Sequence, residues 1–203
     1  TCTYSMSGAP DTLTLSSGTI SGTPTNDNVG AHTVTVSCSD GALSVSDQYT
    51  LTVVNTNDAP TVSTAIADAT TAEDASYSLD AAGAFADVDS GDTLTYTMTG
   101  APNSLSISGG GITGTPLNAD VGSHIITVTA TDVAGSAVSD SFTLTVTNVN
   151  DAPTVTSAIA DASTNEDSAY SLSVSGMCTD VDTGDSLAYS ISGAPSTITI
   201  SGT

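Results

Sequence analysis

The 203-residue chain has no lysine and no arginine, set against 20 Asp and 2 Glu, and its formal charge is -22. A chain without cations cannot neutralise phosphates, which excludes nucleic-acid binding, and it offers nothing to anionic lipid. Its carboxylates have no internal salt-bridge partner. At neutral pH their repulsion is met by water, salt or bound cations. No Arg or Lys is available to stabilise an oxyanion, and no Gly-x-Ser-x-Gly elbow occurs, so an enzyme is not expected. Tryptophan is absent and aromatics are only 4%. The core must therefore come from Val, Ile, Leu and Ala, and no aromatic platform for a glycan is in view. No leader or membrane-length apolar run is visible in this window, and no Asn-x-Ser/Thr sequon occurs. The 38% apolar share, regularly alternating, argues against disorder.

What is present repeats. Asn57-Asp58-Ala59-Pro60 returns as Asn150-Asp151-Ala152-Pro153, and Gly22-Thr23-Pro24 as Gly114-Thr115-Pro116. Gly8-Ala9-Pro10, Gly100-Ala101-Pro102 and Gly193-Ala194-Pro195 mark one point three times. The module is about 93 residues long, and arrays of near-identical modules commonly serve as spacers, stalks or filaments. Residues 57–149 form one complete unit. Residues 1–56 match its later part, and 150–203 match its first part and middle. The two partial units overlap at Tyr4–Thr19 and Tyr189–Thr203 and so do not complete one another. The expectation is a window on a longer array.

Within the full unit, Thr93-Leu94-Thr95-Tyr96-Thr97-Met98, Ile126-Thr127-Val128-Thr129-Ala130 and Phe142-Thr143-Leu144-Thr145-Val146 alternate polar with apolar. This is the period of strands with one buried face, and Thr, Val and Ile favour that state. No stretch carries a 3.6-residue period. The pattern predicts strands near 61–66, 75–80, 93–98, 104–107, 111–114, 124–131 and 140–147, with Leu94, Tyr96, Met98, Ile126, Val128, Leu144 and Val146 facing the core. Such short strands between Gly, Pro, Asp and Asn fit an all-β, immunoglobulin-like antiparallel sandwich.

Ala86-Asp87-Val88-Asp89-Ser90-Gly91-Asp92 followed by Leu94-Thr95-Tyr96 resembles the Asp-x-Asp loop and next strand of cadherin repeats. Thr129-Ala130-Thr131-Asp132 resembles their Ala-x-Asp segment, and Asn57-Asp58-Ala59-Pro60 their inter-repeat linker. Ile112-Thr113-Gly114-Thr115-Pro116 with Asp120-Val121-Gly122 is similar to the dystroglycan-type cadherin-like and "Putative Ig" repeats of large surface proteins. The resemblance covers the whole chain and implies a cadherin-like module in a long extracellular or cell-surface protein, adhesive or structural.

That resemblance also implies where Ca2+ would bind, since calcium takes six to eight oxygens from clustered carboxylates, amides and carbonyls. One junction would draw on Asn55, Asn57, Asp58, Asp87, Asp89 and Asp132. The next would draw on Glu73, Asn148, Asn150, Asp151, Asp180 and Asp182. Asn55 and Asn148 stand where cadherin linkers tend to have Asp, and the mid-repeat acidic motif ending in Arg-Glu is missing. The competing reading makes these Asp residues turn formers and solvated loop ends. Cys2 and Cys38 align with Leu94 and Ala130; in an immunoglobulin-like sandwich their strands are sheet neighbours, and the alternation places both on the core face. A Cys2–Cys38 disulfide is expected. Its competitors are a bridge from Cys38 to a residue before position 1, and three buried thiols. Cys178 aligns with Phe85 and is expected to be unpaired within this window.

His32 and His124 occupy equivalent positions in different modules and read as strand-edge residues rather than a metal pair. Two functional hypotheses remain. The first is a spacer of tandem repeats forming a stalk or filament, with neighbouring repeats, self-association, another surface protein or a glycan as partners. The second is a carbohydrate- or protein-binding adhesin module. Tyr4, Tyr96 and Tyr189 recur at one strand position, and Tyr77 and Tyr170 at another. Repetition without a distinguished loop favours the spacer.

Overall fold

A computed structural model describes residues 2–201. The leading segment holds β1 (Thr3–Ser7), β2 (Leu13–Ser16), β3 (Thr19–Gly22), β4 (Gly30–Ser39) and β5 (Ser44–Val53). Here β1-β4-β5 form one sheet and β2-β3 a hairpin. The middle of the chain holds β6 (Thr61–Val62), β7 (Ala69–Ala72), β8 (Tyr77–Asp80), β9 (Phe85–Ala86) and β10 (Thr95–Thr99). It continues with β11 (Leu105–Ser108), β12 (Gly111–Gly114), β13 (Gly122–Thr131) and β14 (Ala137–Thr147). The trailing segment pairs β15 (Thr154–Val155) with β16 (Cys178–Thr179). No helix among the described residues is long and apolar enough to cross a membrane.

The strands β6 to β14 make a sandwich. One sheet runs β10-β13-β14-β7, the other β11-β12-β8, with β6-β9 as a separate pair. The alternation of the sequence sets the faces. Ile126, Val128, Leu144 and Val146 are buried between the sheets with Ile112, Phe142 and Leu105, and Leu94, Tyr96 and Met98 pack against them half-buried. Burying each such aliphatic side chain contributes about 1.5–3 kcal/mol. The intervening Thr and Ser point outward, where Thr127 with Ser141 and Thr129 with Ser139 pair hydroxyls at 2.8 Å. Phe85 and Tyr96 place their rings 6.0 Å apart, within the range that favours tilted aromatic pairs.

The structure departs from the expected strands in two places. The strand expected over 61–66 ends at Val62. The chain then crosses to the β10-β13-β14-β7 sheet, where β7 runs parallel to β14. Two carboxylates fix this crossing: Asp140 Oδ2 accepts the Ile66 N–H at 2.6 Å, and Asp68 Oδ1 accepts the Thr143 N–H at 2.7 Å. The short strand β9 follows a 3-10 turn at Ala82–Ala84. An alanine-rich run carries no period-two signal for it.

Two of the three Gly-Ala-Pro points, at Gly8 and Gly100, share a close backbone approach, whereas at Gly193 nothing lies within 4 Å of a Cβ. The φ of Gly100 is +78, a conformation L-residues avoid, and a Cβ there would collide with the Ile125 carbonyl oxygen. Gly8, at φ +73, meets the Thr33 carbonyl in the same way.

In the leading segment only Val34 is fully buried among the large apolar residues, while Tyr4, Val45 and Tyr49 are exposed. Cys2 is exposed and Cys38 half-buried, so neither is enclosed in a core as expected. Their Cα atoms lie 5.9 Å apart with the sulfurs in bonding contact, inside the span a bridge requires. Cys178 is half-buried and unpaired among the described residues.

Candidate metal centre

Two acidic clusters occupy equivalent places, one at each Asn-Asp-Ala-Pro linker. Each is built on a tight loop. In the first, Asp87 Oδ1 accepts the Asp89 N–H at 2.9 Å, a side-chain-closed turn. Gly91, at φ +96, lets the chain reverse so that Asp92 folds back. Oxygens of Asp87, Asp92 and Asp132 then lie within 4.8 Å of one another. Asp132 arrives from the end of β13, where Oδ1 accepts the Ser136 N–H at 2.8 Å.

The linker is latched onto this loop. Asp58 donates its backbone N–H to Asp89 Oδ2 at 2.7 Å, and Asn57 Nδ2 donates to Asp132 Oδ2 at 2.9 Å. Asp89 and Asp132 are each only 5% exposed. Two oxygens, Asp87 Oδ2 and Asp89 Oδ1, are buried with no hydrogen-bond partner. Burying a charged oxygen without a donor or cation is costly.

The second junction repeats the plan. Asp151 donates its N–H to Asp182 Oδ2 at 2.7 Å, and Asp182 donates its own to Asp180 Oδ1 at 3.0 Å. Asp180, Asp182 and Asp185 bring oxygens within 4.8 Å. Glu73 reaches this end from the central unit. It is 1% exposed, its Oε1 accepts the Val149 N–H at 2.8 Å, and its Oε2 is buried without a partner. The turn that aims it depends on Asp74, which adopts φ 58, a left-handed conformation that Asp tolerates better than most residues. Asn150 Nδ2 donates to the Asp151 carbonyl at 2.9 Å, as Asn57 does to that of Asp58.

Crowding shifts these groups. Burial raises the pKa of Asp92 above its ordinary 3.8, and Asp87, Asp89 and Asp132 push it further. Burial likewise raises that of Asp151, helped by Asp182, Asp74, Glu73 and Asp180. Asp132 goes the other way. The Asn57 amide is the largest cause, with the N–H groups of Ser136, Gly135 and Ala134 adding to it against the opposing effect of burial.

The structure thus gathers Asn57, Asp58, Asp87, Asp89 and Asp132 at one linker, and Glu73, Asn150, Asp151, Asp180 and Asp182 at the other. Asn55 and Asn148 make no side-chain hydrogen bond among the described residues. Sequence reasoning passed over Asp92 and Asp185 as ligands, although both close the same Asp-x-Asp-x-Gly-Asp string. It also passed over Asn26 and Asn118, which reach the clusters from the upstream units. The donor set is all oxygen, with no thiolate or imidazole among it. That suits a hard cation such as calcium, and the buried unpartnered oxygens fit it too.

The family model described as "Putative Ig domain" matches residues 1–54 and 59–147. The serine-rich adhesin for platelets of Staphylococcus aureus (strain MRSA252) is 37% identical over 153 residues, or 72% of this chain. The chain spans only 11% of that adhesin's length. Among solved structures, mouse cadherin-23 EC22-24 is similar with a TM-score of 0.52 and 21% identity, over 77% of this chain and 57% of that one. Drosophila N-cadherin EC1-4 gives 0.50 and 18%, over 72% and 41%. At such identities these two likenesses speak to the fold, a cadherin-like β-sandwich. The chain belongs to the Putative Ig domain family.

Proposed function

We propose that this chain is part of an extracellular or cell-surface adhesive array. Its repeats, bounded at residues 1–56, 57–149 and 150–203, act as spacers rather than catalysts. Each linker is stiffened by calcium held between neighbouring repeats. Asp87, Asp89, Asp92 and Asp132 with Asn57 and Asp58 would hold it at one junction, and Glu73, Asp151, Asp180, Asp182 and Asp185 with Asn150 at the other. A bound calcium ion supplies positive charge that offsets the clustered carboxylates and joins linker to loop. A Cys2–Cys38 bridge ties β1 to β4 in the leading repeat, as suits an oxidising compartment. Neighbouring repeats are the first partners. A further surface protein or glycan, or a second array, is the partner that an adhesive role requires.

The observation carrying this reading is the burial of Glu73 Oε2, Asp87 Oδ2 and Asp89 Oδ1 without partners in a chain that has no cation of its own. Melting and small-angle scattering of the chain, with calcium and with chelator, test it. Chelation is expected to lower the melting temperature through loss of a native-state ligand and to broaden the spread of shapes. The double change Asp180→Ala and Asp182→Ala is expected to remove the response at one junction. Curves indifferent to chelator would leave these residues as turn formers only.

A further inference from the structure

Each junction receives one asparagine amide from the repeat upstream. Asn26 Nδ2 donates to Asp58 Oδ2 at 2.8 Å, and Asn118 Nδ2 donates to Asp182 Oδ1 at 3.0 Å. The two acceptors are the two halves of one latch: Asp58 N–H bonds Asp89, and Asp151 N–H bonds Asp182. Both asparagines open a 3-10 turn, Asn26–Asn28 and Asn118–Asp120. The turn is framed by its own third residue. Asp120 Oδ2 accepts the Leu117 N–H at 2.9 Å and the Ser104 hydroxyl at 2.6 Å. Asn28 Oδ1 accepts the Thr25 N–H at 3.0 Å and the Thr12 hydroxyl at 2.8 Å. The Ser104 and Leu117 bonds hold the Asp120 pKa low, so this frame stays ionised at neutral pH. A framed turn delivers the amide to the junction without further ordering.

The two turns of this chain also differ informatively. Thr25-Asn26-Asp27-Asn28 stands against Leu117-Asn118-Ala119-Asp120. Only the residue whose amide reaches the junction is the same in both. An aspartate there would set two carboxylates face to face, whereas the amide is a neutral donor that a carboxylate accepts directly.

We propose that Asn26 and Asn118 are positioning residues that tether each repeat to the linker latch of the next without a cation, Asn26 through the linker's Asp58 and Asn118 through Asp182 of the acidic loop. The array then keeps a preferred junction geometry when calcium is withdrawn. This goes beyond the calcium reading and stands independently of it.

Amide hydrogen exchange in chelator, read residue by residue by NMR on the whole chain, tests it. Asn118→Ala is expected to speed exchange at the Asp151 N–H about tenfold, the order of one lost charge-assisted hydrogen bond, while the amides of Ile126 and Val128 stay protected. Asn26→Ala should do the same at Asp58, and this second junction decides the matter if Asn118→Ala disturbs its own turn. Asn118→Asp is expected to loosen Asp151 more than alanine does, a result that a merely turn-forming role would not give, because aspartate frames turns well. Unchanged exchange at both Asp151 and Asp58 in the alanine variants would overturn the tether, as would Asn118→Asp behaving like the parent chain. Calcium added to Asn118→Asp reads the other hypothesis. Recovery of Asp151 protection indicates metal at the junction. Its absence counts against the calcium reading and leaves the chelator result standing for the tether.

Discussion

Placing alanine at Gly100 and at Gly109 separates two costs that are usually confounded. Both glycines have positive φ, +78 and +56. Gly109 has nothing within 4 Å of where a Cβ would sit, whereas at Gly100 the Cβ runs into the Ile125 carbonyl oxygen. That oxygen belongs to the backbone of β13, the strand paired on both sides by β10 and β14, and it cannot swing aside as a side chain can. Gly109→Ala therefore carries only the left-handed backbone cost, about 1–2 kcal/mol. Gly100→Ala carries that cost and an overpacking term of roughly 1–3 kcal/mol more. For a unit of this size, 1 kcal/mol corresponds to about 4–8 °C in melting temperature. Urea and thermal denaturation followed by far-ultraviolet circular dichroism should place Gly100→Ala below Gly109→Ala by at least several degrees. Equal losses would refute the close approach as the reason Gly100 must be glycine.

Two further outcomes follow from the same structure. In chelator, stability should rise as pH falls from neutrality. The folded-state pKa values of Asp92 and Asp151 lie above 3.8, so the folded chain holds those protons more tightly than the unfolded chain, and the cost of ionisation is relieved on protonation. Below 3.8 stability should fall again as Asp132, held low by Asn57, protonates and that contribution is lost. A melting temperature that declines steadily from neutral pH would contradict this. Separately, reduction of a bridge closing the 36-residue separation between Cys2 and Cys38 should destabilise the leading segment by about 3–4 kcal/mol. Peptide mapping without reductant should find Cys2 and Cys38 joined and Cys178 free, and free thiols at both Cys2 and Cys38 would exclude the bridge.

The repeat and the sandwich were legible because period-two alternation fixes which face of a strand is buried. Ile126, Val128, Leu144 and Val146 could be assigned inward from spacing alone. The crossover to β7 was not legible. Ala65 to Ala69 carries no alternation, and what holds it is a pair of carboxylates, Asp68 and Asp140, distant in sequence from the N–H groups they accept. At the acidic clusters the Asp-x-Asp strings announced themselves. Asp92 and Asp185 were equally visible but were not counted as ligands, since nothing local distinguishes a ligand from a turn former. Asn26 and Asn118 lay furthest from reach. An asparagine opening a turn looks like ordinary turn chemistry until the fold carries its amide to a junction carboxylate 32 or 64 residues away. The burial of the leading cysteines was misjudged because alternation gives a residue's side of the sheet, not whether another sheet covers that side.

The central claim is that the two acidic clusters hold calcium between repeats, and titration calorimetry of calcium into the chelator-treated chain tests it most directly. A polyanion gathers divalent cations loosely, so the measurement belongs at physiological ionic strength, about 0.15 M, where diffuse attraction is screened. The account predicts saturable binding that persists in this salt and loses one junction's share of the stoichiometry in the Asp180→Ala, Asp182→Ala variant. Heat that never saturates, vanishes with added salt, and is unchanged in the variant would contradict it.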